Sequence, residues 1–289
     1  MRTLLLTLGA LVAFAANSVL CRLALGSHSI DAASFTTLRL AAGVFVLALL
    51  ARRGVVRTGS WLSALALFLY AAPFSFAYLR LDAGTGALLL FGSVQATMIA
   101  SGLRAGERPH GLEWTGLCVA AVGLVYLVFP GIRAPEPIAS ALMIAAGVSW
   151  GVYSLRGRRA QGPPLVVTGG NFLRALPMAI ALSVATLSAA QVSPRGAALA
   201  LASGGLTSGL GYVIWYAALR GLSATRAATV QLAVPVLAAL GGVALLDERV
   251  TQRLVIASVV ILSGVALALR GQLRAPRAAL EKAARPPRS

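Results

Sequence analysis

Apolar residues occur along this chain in runs of about 20, the length an α-helix needs to cross the hydrocarbon core of a bilayer. Short breaks that contain charged residues, proline or glycine separate these runs. The pattern predicts ten membrane-spanning helices, at residues 3–25, 31–51, 60–80, 84–103, 111–130, 137–155, 163–189, 196–219, 224–246 and 251–270. The predicted fold class is therefore an all-α integral membrane protein.

A short signature recurs in the two halves of the chain. The pair Glu107-Arg108 stands between two apolar runs, as does the pair Glu248-Arg249, and a glycine follows each glutamate sixteen residues later, at Gly123 and Gly264. A long internal repeat in so apolar a chain is typical of transporters built from two related halves.

The repeat divides the chain into four predicted segments. Residues 1–130 form the first repeat with helices 1–5, and residues 137–270 form the second with helices 6–10. A proline- and glycine-containing linker at 131–136 joins them, and a basic tail follows at 271–289. Each half has an odd number of helices, so the second half is predicted to be inverted relative to the first. Inverted repeats place a binding site at the midplane between the halves.

Charge supports a membrane location and sets the predicted orientation. Hydrophobic residues make up 58% of the chain and charged residues 11%, against roughly a quarter charged in soluble domains. The formal net charge is +17. With the N-terminus inside, most arginines fall in inside loops and the tail, which predicts that both termini are cytoplasmic. The basic residues are not interleaved with aromatics on one face, so nucleic acid is not an expected partner.

The helix count, the inverted repeat and the Glu-Arg turn together resemble the EamA-type families of the drug/metabolite transporter superfamily. Within that group the chain is most similar to YddG-type exporters. The resemblance implies a secondary transporter, not an enzyme, in the bacterial inner membrane, which exports neutral or aromatic amino acids by alternating access. One departure is Pro235, thirteen residues before Glu248, because the matching position in the first half is Val94.

The acidic residues fall at the ends of the predicted helices or in the tail. In small multidrug-resistance relatives the first helix carries a buried glutamate, and this chain has Asn17 near that depth. An amide does not titrate, so tight proton coupling through a buried acid is disfavoured and uniport is expected.

Two arginines lie two to three turns inside predicted helices, where charge is costly. Arg39 is in helix 2 and Arg174 in helix 7. Each could attract a substrate carboxylate, or each could reach its own interface or bind free backbone carbonyls. Three prolines inside predicted helices are hinge candidates: Pro73, Pro177 and Pro235.

Amide, hydroxyl and aromatic side chains at mid-depth predict a site for a zwitterionic or neutral substrate. In contrast, Trp215 and Tyr216 are expected in the aromatic belt near the cytoplasmic face. With Arg174 included, the predicted substrate-binding residues are Asn17, Tyr70, Tyr78, Ser93, Gln95, Trp150, Tyr153, Asn171, Arg174 and Gln231.

No metal site or cofactor is expected, because Cys21 and Cys118 lie in apolar runs without ligand spacing. The expected partners are a small-molecule substrate and the lipid bilayer. The sequence leaves the oligomeric state open, and a monomer is compatible with it. Two alternatives also remain. One is an exchanger of anionic solutes, such as sugar phosphates or nucleotide sugars, on the same fold. The other is a membrane-embedded receptor or enzyme.

Overall fold

The computed structural model describes residues 2–51, 54–106, 111–128 and 135–283. Over these ranges the chain is helical, and Ile30 and Val192 form an isolated antiparallel bridge. The helices are α1 Arg2–Gly26, α2 Ala32–Ala51, α3 Trp61–Ala77, α4 Ala83–Arg104, α5 Gly111–Val128, α6 Pro137–Arg159, α7 Pro164–Ala185, α8 Pro194–Ala202, α9 Gly211–Leu219, α10 Ala224–Val230, α11 Val234–Leu246 and α12 Gln252–Ala283.

Length and composition mark part of this helical set as able to cross a membrane. In the described ranges, six helical segments meet both criteria: Arg2–Gly26, Ala32–Ala51, Ala83–Arg104, Pro137–Arg159, Pro164–Ala185 and Pro194–Leu219. Shorter apolar helices lie at Trp61–Ala77, Gly111–Gly123, Val234–Leu246 and Gln252–Ala268. The all-helical prediction is confirmed, whereas the prediction of ten spans stays a prediction.

Several predicted helices have different bounds or are interrupted. The predicted run 196–219 contains a π-helix, Ser203–Leu210, between α8 and α9, and the run 224–246 contains a 3₁₀ turn, Gln231–Ala233. Pro235 consequently lies in the first turn of α11, where proline is tolerated, and not inside a continuous helix. Pro73 and Pro177 do lie inside α3 and α7.

Three predicted features lie wholly or partly outside the described residues. They are the Glu107-Arg108 pair, residues 131–134 of the predicted linker and residues 284–289 of the predicted tail. The predicted tail at 271–289 begins as a continuation of α12, which runs to Ala283.

Small residues allow the helices to pack at close range. On α5 and α12 the contact is reciprocal: a side chain on Gly116 would overlap the backbone of Gly264 and Ala268, and one on Gly264 would overlap Gly116 and Ala120. This small-xxx-small spacing brings two helix backbones together, as is common between membrane helices. Buried side chains from α1–α4 and from α6–α12 form the main apolar core.

Asp31 joins two distant parts of the chain at one end of the bundle. Its carboxylate accepts a hydrogen bond from Ser34 N at 2.8 Å, which caps α2, and another from Gln191 N at 3.0 Å. Burial alone would raise the pKa of Asp31, but these amide hydrogen bonds outweigh it and lower the pKa below its usual value. The ionised form therefore stabilises the folded protein.

We predict that Asp31→Ala lowers the free energy of unfolding by about 1 kcal/mol at pH 7, the typical worth of an N-cap. Asp31→Ser keeps one capping oxygen and should lose less. Because the pKa is lowered on folding, the wild-type contribution is present above about pH 4 and is lost as the pH falls through the folded-state value. Thermal unfolding in detergent at pH 7 and below pH 4 tests this, and equal unfolding of wild type and Asp31→Ala at pH 7 would contradict it.

Candidate functional site

Arg39 is the most deeply buried charge in the described part of the chain, with 1% of its surface exposed. It lies on α2 where that helix meets the π-helix. Gly204 makes this approach possible, because a side chain there would overlap the Arg39 backbone. The guanidinium consequently points into the bundle and not to either membrane surface.

Neutral groups surround the Arg39 guanidinium. Its Nε donates to Ser208 Oγ at 2.8 Å, and its Nη2 donates to the hydroxyls of Tyr70 at 2.9 Å and Tyr212 at 2.6 Å. The rings of Tyr70 and Phe74 lie 5.2 and 5.0 Å from the guanidinium carbon. Nη1 is buried without a hydrogen-bond partner. In the described residues no carboxylate is paired with Arg39.

Asn17 on α1 joins this network to the π-helix. Its Oδ1 accepts hydrogen bonds from Ser203, Thr207 and Ser208 at 2.7, 3.2 and 3.2 Å. A π-helix bonds each residue to the one five positions away, so Ser203 and Ser208 lie one above the other on the same side. The wider turn thus directs all three hydroxyls at a single amide oxygen.

The network contains more donors than acceptors. The hydroxyl of Tyr70 receives hydrogen bonds from Arg39, from Asn17 Nδ2 at 3.3 Å and from the Tyr212 hydroxyl at 3.1 Å. A hydroxyl oxygen offers two lone pairs to these three donors. We refer to Asn17, Arg39, Tyr70, Ser208 and Tyr212 as the Arg39 cluster.

Aromatic rings cover one side of the Arg39 cluster. Trp150 lies 4.9 Å from Tyr70 and 4.5 Å from Tyr212, measured between ring centroids, and Phe14 lies 5.2 Å from Trp150. The indole Nε1 of Trp150 donates to Gln231 Oε1 at 2.9 Å. These rings form an apolar wall next to the charge.

A cavity of about 590 Å³ opens at the end of the bundle where α3 begins. Asn171 and Tyr216 form part of its wall, and the ring of Tyr216 lies 5.2 Å from that of Tyr153, which in turn lies 6.3 Å from that of Tyr212. Tyrosines therefore link the cavity to the Arg39 cluster. The lining also includes Arg57, Arg156 and Arg159.

An ion-pair group, Arg22, Asp82 and Glu248, lies at the opposite end of α3. Arg22 on α1 donates to Glu248 at 3.2 Å and lies 3.5 Å from Asp82, and Glu248 also accepts from Ala83 N at 3.0 Å. Burial raises the pKa of Glu248, although the amide of Ala83 opposes the shift. These contacts hold together α1, the start of α4 and the segment after α11.

Comparison with known proteins agrees with this architecture. Residues 137–270 match the EamA-like transporter family. The uncharacterized protein PA1977 of Pseudomonas aeruginosa is 51% identical to this chain over 276 residues, which cover 94% of this chain and 96% of that protein.

The chain belongs to the EamA-like transporter family. A solved crystal structure has a similar fold, with a TM-score of 0.66 and 22% identity, and the match covers 90% of this chain and 98% of the other. Membership of this family, within the drug/metabolite transporter superfamily, places the protein in the class of multi-pass membrane transporters.

In this EamA-like protein, several predicted site residues lie together. Arg39, Asn17 and Tyr70 belong to the Arg39 cluster, and Trp150 packs against it. Tyr153 and Gln231 adjoin Trp150. Asn171 lines the cavity, where its Oδ1 accepts from Ser60 N at 3.0 Å.

Other predicted residues lie elsewhere. Arg174 donates to the backbone carbonyls of Thr58, Gly170 and Val56. Tyr78 packs near the ion-pair group, where its carbonyl accepts from Arg22. The Ser93 hydroxyl donates a hydrogen bond to the carbonyl of Leu89 in the same helix, and Gln95 lines a separate crevice between α4 and α5.

Some residues of the site were not predicted. Ser203, Thr207 and Ser208 lie in a glycine-rich stretch whose sequence indicates close packing, and only the π-helix directs them at Asn17. Trp215 and Tyr216 were expected in the membrane belt, but this is wrong: both are buried. Trp215 donates to Ser154, and Tyr216 donates to Tyr153 O.

We predict that Gly204→Ala destabilises the protein by about 1–3 kcal/mol, the usual cost of overpacking, because the new methyl would displace the backbone of Arg39. Gly9→Ala is the control, since its methyl would meet only Ile214 at 3.9 Å. Unfolding by denaturant in detergent measures both. An equally stable Gly204→Ala protein would show that this close approach is not required.

We also predict that Arg22 and Glu248 are energetically coupled. Arg22→Gln removes the ion-pair partner of a half-buried carboxylate, and we expect a loss of about 1–2 kcal/mol. The double variant with Glu248→Gln should lose less than the sum of the two single variants. Arg80→Gln, at an exposed position, is the control. Strict additivity in denaturant unfolding would refute the coupling.

Proposed function

We propose that this protein exports neutral or aromatic amino acids across the bacterial inner membrane as a uniporter, in the manner of YddG-type exporters. Alternating access would expose the Arg39 cluster first to the cytoplasm and then to the outside. The relative from Pseudomonas aeruginosa supports a bacterial setting. Arg39, and not Arg174, is the proposed partner of the substrate carboxylate.

The observation that carries this proposal is the unpaired charge of Arg39. Burial of a guanidinium costs several kcal/mol unless an anion compensates it. Here the compensating groups are hydroxyls and rings, Nη1 is unpartnered, and three donors converge on one tyrosine oxygen. A carboxylate supplies a negative charge and about four acceptor positions, which is what the Arg39 cluster lacks.

The surrounding residues suit the rest of an amino acid. Phe14, Trp150 and Tyr212 offer an apolar wall for a side chain. The ring faces of Trp150 and Tyr212 can interact with an ammonium group. Arg174 is less suited to a substrate, because its N–H groups already bind three carbonyls.

The pairing of helices supports two inverted halves. In the proposed repeat, α6, α7, α9, α11 and α12 of the second half correspond to α1, α2, α3, α4 and α5 of the first. When the two halves are exchanged, the contact between α1 and α9 becomes the contact between α6 and α3, and the contact between α1 and α11 becomes that between α6 and α4. The contacts α2–α7 and α5–α12 are unchanged by the exchange. A two-fold relation of this kind is the basis of rocking-type alternating access.

The two ends of the bundle support an inward-facing state. The cavity lies among Arg57, Arg156 and Arg159, and arginine-rich ends face the cytoplasm by the positive-inside rule. At the opposite end, Arg22 and Glu248 join α1 to the segment after α11. We therefore propose that both termini are cytoplasmic and that opening to the outside separates the ion-pair group.

An anion exchanger is a second candidate, because three arginines line the cavity. Such a lining would attract a sugar phosphate or nucleotide sugar at the entrance. The aromatic wall and the single buried charge favour a smaller monocarboxylate at the Arg39 cluster.

Proteoliposomes loaded with a panel of labelled amino acids, with and without a pH gradient, test the proposal. We predict efflux of neutral or aromatic amino acids without a required gradient, and little efflux of the matching amines that lack the carboxylate. Arg39→Gln should reduce transport of the amino acid at least tenfold. Arg39→Lys keeps the charge and should retain part of it.

Arg80→Gln is the matched control and should transport at the wild-type rate. Sugar phosphates in the same vesicles test the second candidate. Wild-type transport by a normally inserted Arg39→Gln protein would refute the role of Arg39. A flat response to every amino acid would refute the substrate class, and a strict requirement for the gradient would refute uniport.

A further inference from the structure

A second recess, separate from the Arg39 cluster, lies on the side of the bundle between α4 and α5. Its volume is about 270 Å³. Because α5 packs chiefly on α12 and only lightly on α4, α4 and α5 leave a gap between them, and Ile261 of α12 is part of its lining. We call this the α4–α5 crevice; its lining includes Gln95, Ile99, Trp114, Cys118, Ala121 and Ile261.

The α4–α5 crevice faces the lipid side of the protein. Trp114 has 47% of its surface exposed, and Cys118 and Ala121 are exposed as well. Most of the lining is apolar. A molecule dissolved in the bilayer can therefore enter the crevice without crossing the transport path.

Gln95 is the polar exception in this lining. The residue has 5% of its surface exposed, and its Nε2 is buried without a hydrogen-bond partner. An unsatisfied amide inside the hydrocarbon region costs several kcal/mol, so a bound group that accepts a hydrogen bond there would be stabilised.

The depth of Gln95 restricts what that bound group can be. It lies nine residues before Arg104, at the end of α4, which is about 14 Å along the helix axis. The hydrocarbon half-thickness is about 15 Å, so the ester groups of phospholipids lie near the helix end and not at Gln95. An ordinary acyl chain would present only methylene groups to the amide.

We propose that the α4–α5 crevice is a binding site for an uncharged, mainly apolar molecule that carries a carbonyl group and partitions into the membrane. The amide Nε2 of Gln95, which is buried in this structure, reaches the carbonyl by rotation of the side chain and donates to it. The apolar part of the molecule lies against Ile99, Cys118 and Ile261. The site does not depend on the proposed amino-acid transport, because none of its residues belongs to the Arg39 cluster.

Benzophenone tests this directly, since it is an apolar ketone that crosslinks when irradiated. The full-length protein in nanodiscs of saturated phosphatidylcholine is irradiated with benzophenone, and the labelled peptides are mapped by mass spectrometry. We expect labelling concentrated on residues 92–99 of α4 and 114–121 of α5. Gln95→Leu should reduce this labelling about fivefold, the effect of one neutral hydrogen bond. Ala121→Phe should fill the crevice and abolish the labelling.

Ala100→Leu, at an exposed position of the same helix, is the control and should label as wild type. A competition experiment on the wild-type protein needs no variant. Fluorenone, which is also a ketone, should displace benzophenone from the crevice. Diphenylmethane has a similar shape but no carbonyl, and it should compete at least fivefold less well. Equal competition by both, or equal labelling of Gln95→Leu, would overturn the proposal. Labelling spread evenly over all lipid-facing helices would also overturn it.

Discussion

The burial of the Arg39 guanidinium among neutral hydroxyls is the constraint on which the centre of this protein depends. A charge so placed must be compensated by hydrogen bonds and ring contacts drawn from several helices. Ser208 and Tyr212 approach from the π-helix and α9, Tyr70 and Phe74 from α3, and Asn17 holds the network from α1. The helices that supply these residues are thereby fixed around a single positive charge.

Two local features make that arrangement possible. Gly204 lets the π-helix approach the backbone of α2, so that the serine hydroxyls reach Arg39 and Asn17. The π-helix itself changes the spacing of side chains from that of an α-helix, and π-segments often mark functional sites. A continuous α-helix over 194–219 would direct Ser203 and Ser208 to different sides.

The protein also has unlike ends. At one end of α3 a cavity admits solvent toward Tyr216 and Asn171, and at the other the ion-pair group joins α1, α4 and the segment after α11. Asymmetry of this kind is what an alternating-access carrier needs in any one state. The Arg39 cluster lies between the two ends, which is the position that the proposed alternating access requires.

By itself, the sequence determined the helical class, the membrane location and the presence of costly charges inside helices, because length, hydrophobicity and charge are local properties of the chain. It could not decide between Arg39 and Arg174, which occupy similar depths in their helices. Membrane helices are apolar on nearly all faces, so periodicity does not reveal which face is buried. Only the tertiary structure shows that Arg39 points into the bundle, whereas Arg174 donates to backbone carbonyls. It also shows that Gln231 bonds to Trp150 beside the Arg39 cluster, whereas Gln95 lines the α4–α5 crevice. These outcomes depend on the rotation of each helix and on neighbours distant in the chain.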